Sequence, residues 1–364
     1  MQPRTAIVAA AAVLCSLAGP AASQNDLADQ ASPDEPAFRP GMLSIMWEND
    51  SPFHTLGTND DDRHYTNGVS IEASVIPSDA FYDDHLRILD LFGEFDRPRV
   101  ATGLSLRHFI FTPDNITTQT SQPNDQPYSG WLTFGLFMQR QEGRTFDHVQ
   151  LDLGVTGQNS GAQELQEFVH SILPGQDDPA WTNQLQSEFA VQLKYQRRWR
   201  LRLTHDEQGN LALADESDAD AATGSRGSGF EAIPYAGFRA GNVFDDVSVG
   251  TLVRYGWPLP DNFGPGRVFE FADHTRTVSK DFGISVFARA GARLVGHNIF
   301  LDGSSFQSNR LNPTPLVGEF QAGVEVEWKG CYFGYMQAVS TKEFGGQNGT
   351  DRQGQFTFGF NLDF

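Results

Sequence analysis

Strict two-residue alternation runs along most of this chain, and no other feature constrains its fold as much. Val69, Ile71, Ala73 and Val75 alternate with Ser70, Glu72 and Ser74. Val149, Leu151, Leu153 and Val155 alternate with Gln150, Asp152 and Gly154, and Phe189, Val191, Leu193 and Tyr195 with Ala190, Gln192, Lys194 and Gln196. Phe320, Ala322, Val324, Val326 and Trp328 face away from Gln321, Gly323, Glu325 and Glu327. Similar runs begin near Met42, Leu104, Trp131, Trp199, Val247, Phe282 and Tyr332. A period of two puts successive side chains on opposite faces of a strand, so the chain reads as all-β.

Alternation suits a soluble sandwich and a membrane barrel equally, and three details favour the barrel. The off-face carries Glu, Asp, Lys, Gln and Gly, as a wet lumen would. Aromatic residues gather at strand ends (Trp131, Trp199, Tyr255, Trp257, Trp328), where interfacial girdles sit. The last strand alternates through Phe356, Phe358, Phe360, Leu362 and Phe364, and a closing strand with a terminal Phe looks like the assembly signal of bacterial outer-membrane barrels. The expectation is an antiparallel transmembrane β-barrel of about twelve strands, even numbers being the rule.

Charge and targeting narrow the setting. With 46 acidic against 26 basic side chains and a net charge of −20, the chain lacks the basic surface that nucleic-acid binding needs. Arg4, the apolar stretch 6–18 and Ala21-Ala22-Ser23 have the layout of a secretory signal peptide over residues 1–23. Residues 24–40 are polar and Pro-rich and read as a flexible arm; the barrel is placed at 41–364. Cys331 is then the only cysteine of the exported chain, so no internal disulfide helps to hold the fold. The polar stretches Asp206 to Gly229 and Pro258 to Lys280 read as outer loops, with further acid at Asp60 to Asp62. Those runs are either plain solvated loops or holders of divalent cations.

Two constellations have the residue types for chemistry. Glu48-Asn49-Asp50 ends the first strand, and Tyr65-Thr66-Asn67-Gly68 opens the second. A hairpin between them brings Asp50 and Thr66 to one rim. A carboxylate, a hydroxyl and backbone carbonyls are hard oxygen ligands that suit Ca²⁺, with Gly68 allowing close backbone approach. Two turns without any ligand fit the same residues. The second constellation is a helix over residues 161–173. Ser160 and Gln163 resemble a capping box, and Leu165, Phe168, Val169 and Ile172 form an apolar stripe. Gln163, Gln166 and His170 make a polar row ending in an imidazole, and Pro174-Gly175 stops the helix. His170 is a reasonable general base or, equally, a hydrogen-bonded surface residue.

These pieces together resemble the outer-membrane lipid A 3′-O-deacylase family. The resemblance rests on Glu48-Asn49-Asp50, Tyr65-Thr66-Asn67-Gly68, Pro127-Tyr128-Ser129-Gly130-Trp131-Leu132 and the block from Leu153 to Trp199. In that block the matches include Ser160-Gly161-Ala162-Gln163-Glu164, Phe168-Val169-His170, Pro179-Ala180-Trp181 and Tyr195-Gln196-Arg197-Arg198-Trp199. It implies a twelve-stranded barrel in the outer membrane with its site facing outward. It also implies a calcium-dependent esterase that removes the 3′-linked acyloxyacyl group of lipid A in lipopolysaccharide, with no protein partner evident. His170, Asn49, Asp50 and Thr66 match the family's active-site positions. His170 would activate water while Ca²⁺, held by Asp50, Thr66 and Gly68, stabilises the oxyanion; Gln163, Gln166 and Tyr65 are the expected substrate contacts. One departure stands out. Gln126 occupies a place where relatives often carry Arg, and residues 112–126 contain no Lys or Arg. A calcium-dependent phospholipase and a non-catalytic barrel or pore are the alternatives.

Overall fold

The computed structural model describes residues 36–50, 64–120, 122–172, 178–205, 211–213, 228–309 and 311–362. The expected signal peptide, most of the arm, Asp60 to Asp62, Pro174-Gly175 and Phe364 lie outside the described residues.

Twelve antiparallel strands close on themselves. They are β1 (Phe38–Asn49), β2 (His64–Pro77), β3 (Arg99–Thr112), β4 (Ser129–Glu142), β5 (Thr145–Thr156) and β6 (Glu188–Trp199). Then follow β7 (Gly229–Gly241), β8 (Phe244–Trp257), β9 (Gly283–Asn298), β10 (Leu316–Trp328), β11 (Cys331–Ser340) and β12 (Asp351–Asn361). Closure is made by β1 against β12, from Met42 opposite Asn361 to Asn49 opposite Gly354. Phe38 already pairs with Pro77, so the first strand starts inside the stretch read as the flexible arm. Asn49, His64, Thr112, Ser129, Thr156 and Glu188 share one end, called upper here; Phe38, Pro77, Arg99 and Trp199 share the lower end.

The usual inside and outside are exchanged. Ile71, Leu106, Phe134, Leu153, Val249 and Phe320 are exposed, whereas Glu72, Arg107, Gln139, Asp152 and Glu231 are fully buried. An apolar outer wall around a polar interior is what a strand needs when hydrocarbon replaces water outside it. Trp199, Tyr255, Trp257 and Trp328 do sit exposed at the lower end. Trp131 does not join them. It turns into the barrel, stacked on Phe109 at 5.1 Å and covered by the Lys194 ammonium.

The interior is filled, and this corrects the reading of Pro258 to Lys280 as an outer loop. That segment connects the lower ends of β8 and β9, enters the barrel and climbs to Val268 and Phe269 before returning. Many main-chain groups on its path meet wall side chains. Arg254 donates to the Pro260 and Asn262 carbonyls at 2.9 and 2.7 Å. Arg198 reaches the Phe263 carbonyl at 2.9 Å and Gln355 the Gly266 carbonyl at 2.7 Å. Gln139 donates to the Ala272 carbonyl and accepts from the His274 N–H, both at 2.7 Å. The polar off-face of the strands thus serves a plug rather than bulk water. Asp206 to Gly229 also departs and returns at the lower end, between β6 and β7. The part of it that is described, Leu211–Leu213, pairs with Leu201–His205.

Among the described residues, two α-helices of more than four residues flank the barrel, one at each end. The short α1 (Asp79–His85) sits under the lower end, capped by the Ser78 hydroxyl accepting from the Phe81 N–H; seven residues are too few for periodicity to have shown it. The second, α2 (Ala162–Ile172), lies by the upper end and matches the expected helix closely.

Arg107 and Glu72 are both fully buried and meet at 2.5 Å, and Glu72 also takes the Ala272 N–H at 3.0 Å and His274 at 3.2 Å. Removing one member of a buried pair leaves a charge uncompensated, which costs about 3–5 kcal/mol. Glu72→Ala is therefore expected to lower the midpoint of thermal unfolding in detergent sharply, with Glu72→Gln in between. An unchanged midpoint would mean that the plug is not anchored this way.

Candidate active site

The upper ends of β1 and β2 bring three of the four expected active-site residues together. Asn49 Nδ2 donates to the Thr66 carbonyl at 3.1 Å, and the Asp50 N–H donates to the same oxygen at 3.2 Å. The Thr66 hydroxyl lies 2.7 Å from that of Thr112 on β3. Thr112 is a member of this cluster that sequence reasoning missed, since a Thr ending one strand carries no signal that it will face another.

A β-bulge sets the geometry. Tyr65 pairs with Phe111 and Asn67 with Ile110, so Thr66 is the extra residue on β2. Bulges re-aim side chains and concentrate near functional sites. Here the bulge breaks the alternation that Ser70, Glu72 and Ser74 would extend upward, and Tyr65 turns inward. Its hydroxyl donates to Glu48 at 2.8 Å, and its ring packs 4.5 Å from Phe269 of the plug. Tyr65 thus faces the interior. Gly68 pairs with Glu48 in the ladder, and a Cβ there would lie 1.9 Å from the Tyr65 hydroxyl. Its missing side chain makes room for Tyr65.

The helix is seated on the outside of the wall. Trp131 points into the barrel, so Gly130 beside it points out, as do the exposed Leu132 and Phe134. A Cβ on Gly130 would meet Ser160 Oγ at 2.1 Å and Ala162 Cβ at 2.3 Å, so only glycine lets the helix start come this close. Ile110, Ile116, Tyr128, Ala162 and Trp181 close over the junction as one buried cluster, with the Tyr128 hydroxyl on the Ile116 carbonyl at 2.5 Å. The Pro127-Tyr128-Ser129-Gly130 motif therefore builds the seat. The capping box does not form: Ser160 Oγ donates back to the Gly157 carbonyl at 2.7 Å.

Which face of α2 meets the barrel is the reverse of a water-soluble helix. Gln166 is buried, whereas Phe168 and Ile172 are each 61% exposed. Gln163 is held by Gln184 at 2.5 Å and reaches Glu167 at 2.7 Å, tying α2 to the returning segment. His170 is half-buried, two turns beyond the Gly130 contact. The next strand over carries Thr112, so α2 and the Asn49–Asp50–Thr66 cluster are neighbours on one flank.

The loop between β3 and β4 walls this flank from above. His64, at the start of β2, lies 3.3 Å from Asp125 of that loop and 2.8 Å from Asp351 of β12. Burial pushes the Asp125 carboxyl up, but His64 and the N–H groups of Asp114 and Gln126 outweigh it and hold it below its ordinary range.

As a donor set, Asn49, Asp50 and Thr66 offer hard side-chain oxygens: one carboxylate, an amide carbonyl and a hydroxyl. That chemistry fits an alkaline-earth cation. Among the described residues no group of three or more His, Cys, Asp or Glu converges as a metal centre.

A closed barrel with an apolar outer wall, a filled interior and a polar cluster on its flank defines a membrane protein of the outer-membrane β-barrel class. Within that class, residues 7–362 match the family model described as "Outer membrane protein LpxR", and the chain belongs to that family. This agrees with the resemblance carried by the sequence motifs. LpxR from Salmonella typhimurium shares the fold with a TM-score of 0.67 at 18% identity, over 88% of this chain and 99% of that one. The β domain of the Bordetella autotransporter BrkA aligns at a TM-score of 0.40 and 9% identity, over 90% of this chain and 100% of that one. No curated protein matches the chain.

Gly130→Val is expected to lift α2 from the wall while leaving the barrel intact. Limited proteolysis should then cut residues 157–187 faster with no loss of the heat-resistant barrel. Unchanged cleavage would show that the helix is held by other contacts.

Proposed function

We propose that this protein is an outer-membrane esterase that removes the 3′-linked acyloxyacyl chain of lipid A, with its site at the outward, lipopolysaccharide-facing rim. One observation carries the reading. The helix bearing His170 lies on the lipid side of the wall with Phe168 and Ile172 turned outward, beside Asn49, Asp50 and Thr66. A helix with an exposed apolar face lies at a membrane interface, and a site there meets acyl esters of membrane lipids without extracting them. The start of β1 at Phe38, the end of β12 at Asn361, and the tight turns at Gly143–Arg144 and Lys329–Gly330 are at the lower end, which suits the periplasmic side.

In this reading His170 accepts a proton from water as the water oxygen attacks the ester carbonyl carbon. The same proton then serves the departing sugar oxygen, leaving a free fatty acid and an alcohol. Asp50, with Asn49 and Thr66, would hold Ca²⁺. That ion supplies Lewis-acid polarisation of the carbonyl and charge stabilisation for its oxygen. Gln163, held by Gln184, keeps α2 in register with the returning segment and so positions His170. The plug leaves little room for the alternative of an open pore.

Mass analysis of lipid A from cells with and without the protein tests the assignment. The expected result is loss of a 3′ acyloxyacyl group in calcium and its retention in chelator. His170→Ala should cut hydrolysis by roughly 10²–10⁴-fold in a barrel that still inserts, and Asp50→Ala should no longer respond to calcium. Full activity in His170→Ala would overturn the mechanism.

A further inference from the structure

The charge of the flanking loops points to which form of the substrate the site takes. The two segments that wall it, residues 113–128 and 157–187, contain no Lys or Arg. Their described carboxylates are Asp114, Asp125, Glu164, Glu167 and Asp178. Asp114 and Asp125 are held close to the cluster. Asp114 follows Thr112, whose hydroxyl meets Thr66 at 2.7 Å, and Asp125 is tied to His64 at 3.3 Å. Asp125 and Asp351 share His64 between them, so this basic side chain is already engaged. Glu164 and Glu167 stand exposed on α2.

Six of the described arginines are committed to the interior. Arg107, Arg198, Arg254, Arg267, Arg276 and Arg289 are buried in the interior, each paired with a wall or plug carboxylate. Their guanidinium groups are engaged by carboxylates, and the exposed Lys342 and Arg352 on the β11–β12 side lie outside the lining of the cleft described next.

Beside the cluster, a cleft of ≈ 340 Å³ opens between the β3–β4 loop and the β11–β12 loop. Asp114, Asn115, Gln122, Asn124, Asp125 and Gln347 line it, and His64 is the one basic residue among its lining. Amides and carboxylates in this arrangement hydrogen-bond sugar hydroxyls well. A phosphate dianion in the same place would meet carboxylates without a compensating guanidinium.

We propose that the preferred substrate is a lipid A-type glycolipid whose sugar carries no free phosphate monoester on the side facing these loops. The inference rests on the deacylase reading and adds the charge class of the head group. Neutral hydroxyls of the disaccharide occupy the cleft while the acyl ester reaches the Asn49–Asp50–Thr66 cluster. A phosphorylated head is opposed by the like charge of the two loops.

The test is turnover of one lipid A preparation in two forms, bis-phosphorylated and phosphatase-treated, in the same mixed micelles at one fixed, saturating calcium concentration. The purified full-length protein is used, and released fatty acid is measured by mass spectrometry. The expected result is a kcat/KM at least about tenfold higher on the dephosphorylated form. Raising NaCl from about 0.1 to about 1 M shortens the screening length from about 10 to about 3 Å, so the gap should narrow through a gain on the phosphorylated form. The double variant Gln122→Lys with Asn124→Lys should shift the ratio toward the phosphorylated form. Equal turnover of both forms, or faster turnover of the phosphorylated one, would overturn this inference and leave the deacylase reading standing. No release from either form would overturn the deacylase reading and this inference with it.

Discussion

Everything in this structure depends on one pairing, that of the first strand with the last. In hydrocarbon an unpaired backbone N–H or C=O costs several kcal/mol and no water relieves it. An open sheet edge is therefore untenable, and the ladder from Met42–Asn361 to Asn49–Gly354 removes it. Closure also places the functional candidates. Asn49 ends the strand that closes the barrel, and its neighbour β2 brings Thr66 beside it at the same rim.

Closing a twelve-stranded wall leaves an interior that must be filled, and here charge and fold become mutually dependent. Arginines and their carboxylates stand in the lumen with little exposure. Buried ion pairs add little net stability over apolar packing, but stripping one partner is severe. The plug supplies several of those partners. Glu270 faces both Arg198 and Arg289, and Arg267 joins Glu48 to Glu319. Wall and plug therefore hold each other, and the interior behaves as a packed core written in polar residues. The apolar layer above it, built from Tyr65, Phe109, Phe111, Phe244, Phe269 and Phe300, lies at the upper end of the same core.

The fold was legible because period-two alternation is a direct geometric consequence of the strand. Runs such as Val149 to Val155 and Phe320 to Trp328 could be placed from sequence inside β5 and β10, short of their first few residues. The plug was not legible, because a segment that leaves one strand and re-enters the barrel has the polar, Gly- and Pro-containing composition of an ordinary loop. Its partners are scattered from Glu48 to Gln355, and no local pattern encodes such distant pairing. The bulge at Thr66 was hidden for a related reason. Alternation predicts one side for Tyr65, and a single inserted residue gives it the other.

The helix shows the same limit from another direction. Its two faces were read correctly as residues, with Gln163, Gln166 and His170 on one and Phe168 and Ile172 on the other. Periodicity separates faces but does not say which solvent lies outside. In water the apolar stripe would turn to the protein; on the flank of a barrel in lipid the polar row does. Gly130 is the residue that makes this arrangement possible, because only a bare backbone lets Ala162 come down onto the outside of β4. A polar helix face pressed on a membrane-spanning wall creates a small wet strip at the edge of hydrocarbon. An ester buried at the top of an acyl chain and the water needed to cleave it can meet in that strip, which neither the filled lumen nor the open bilayer provides.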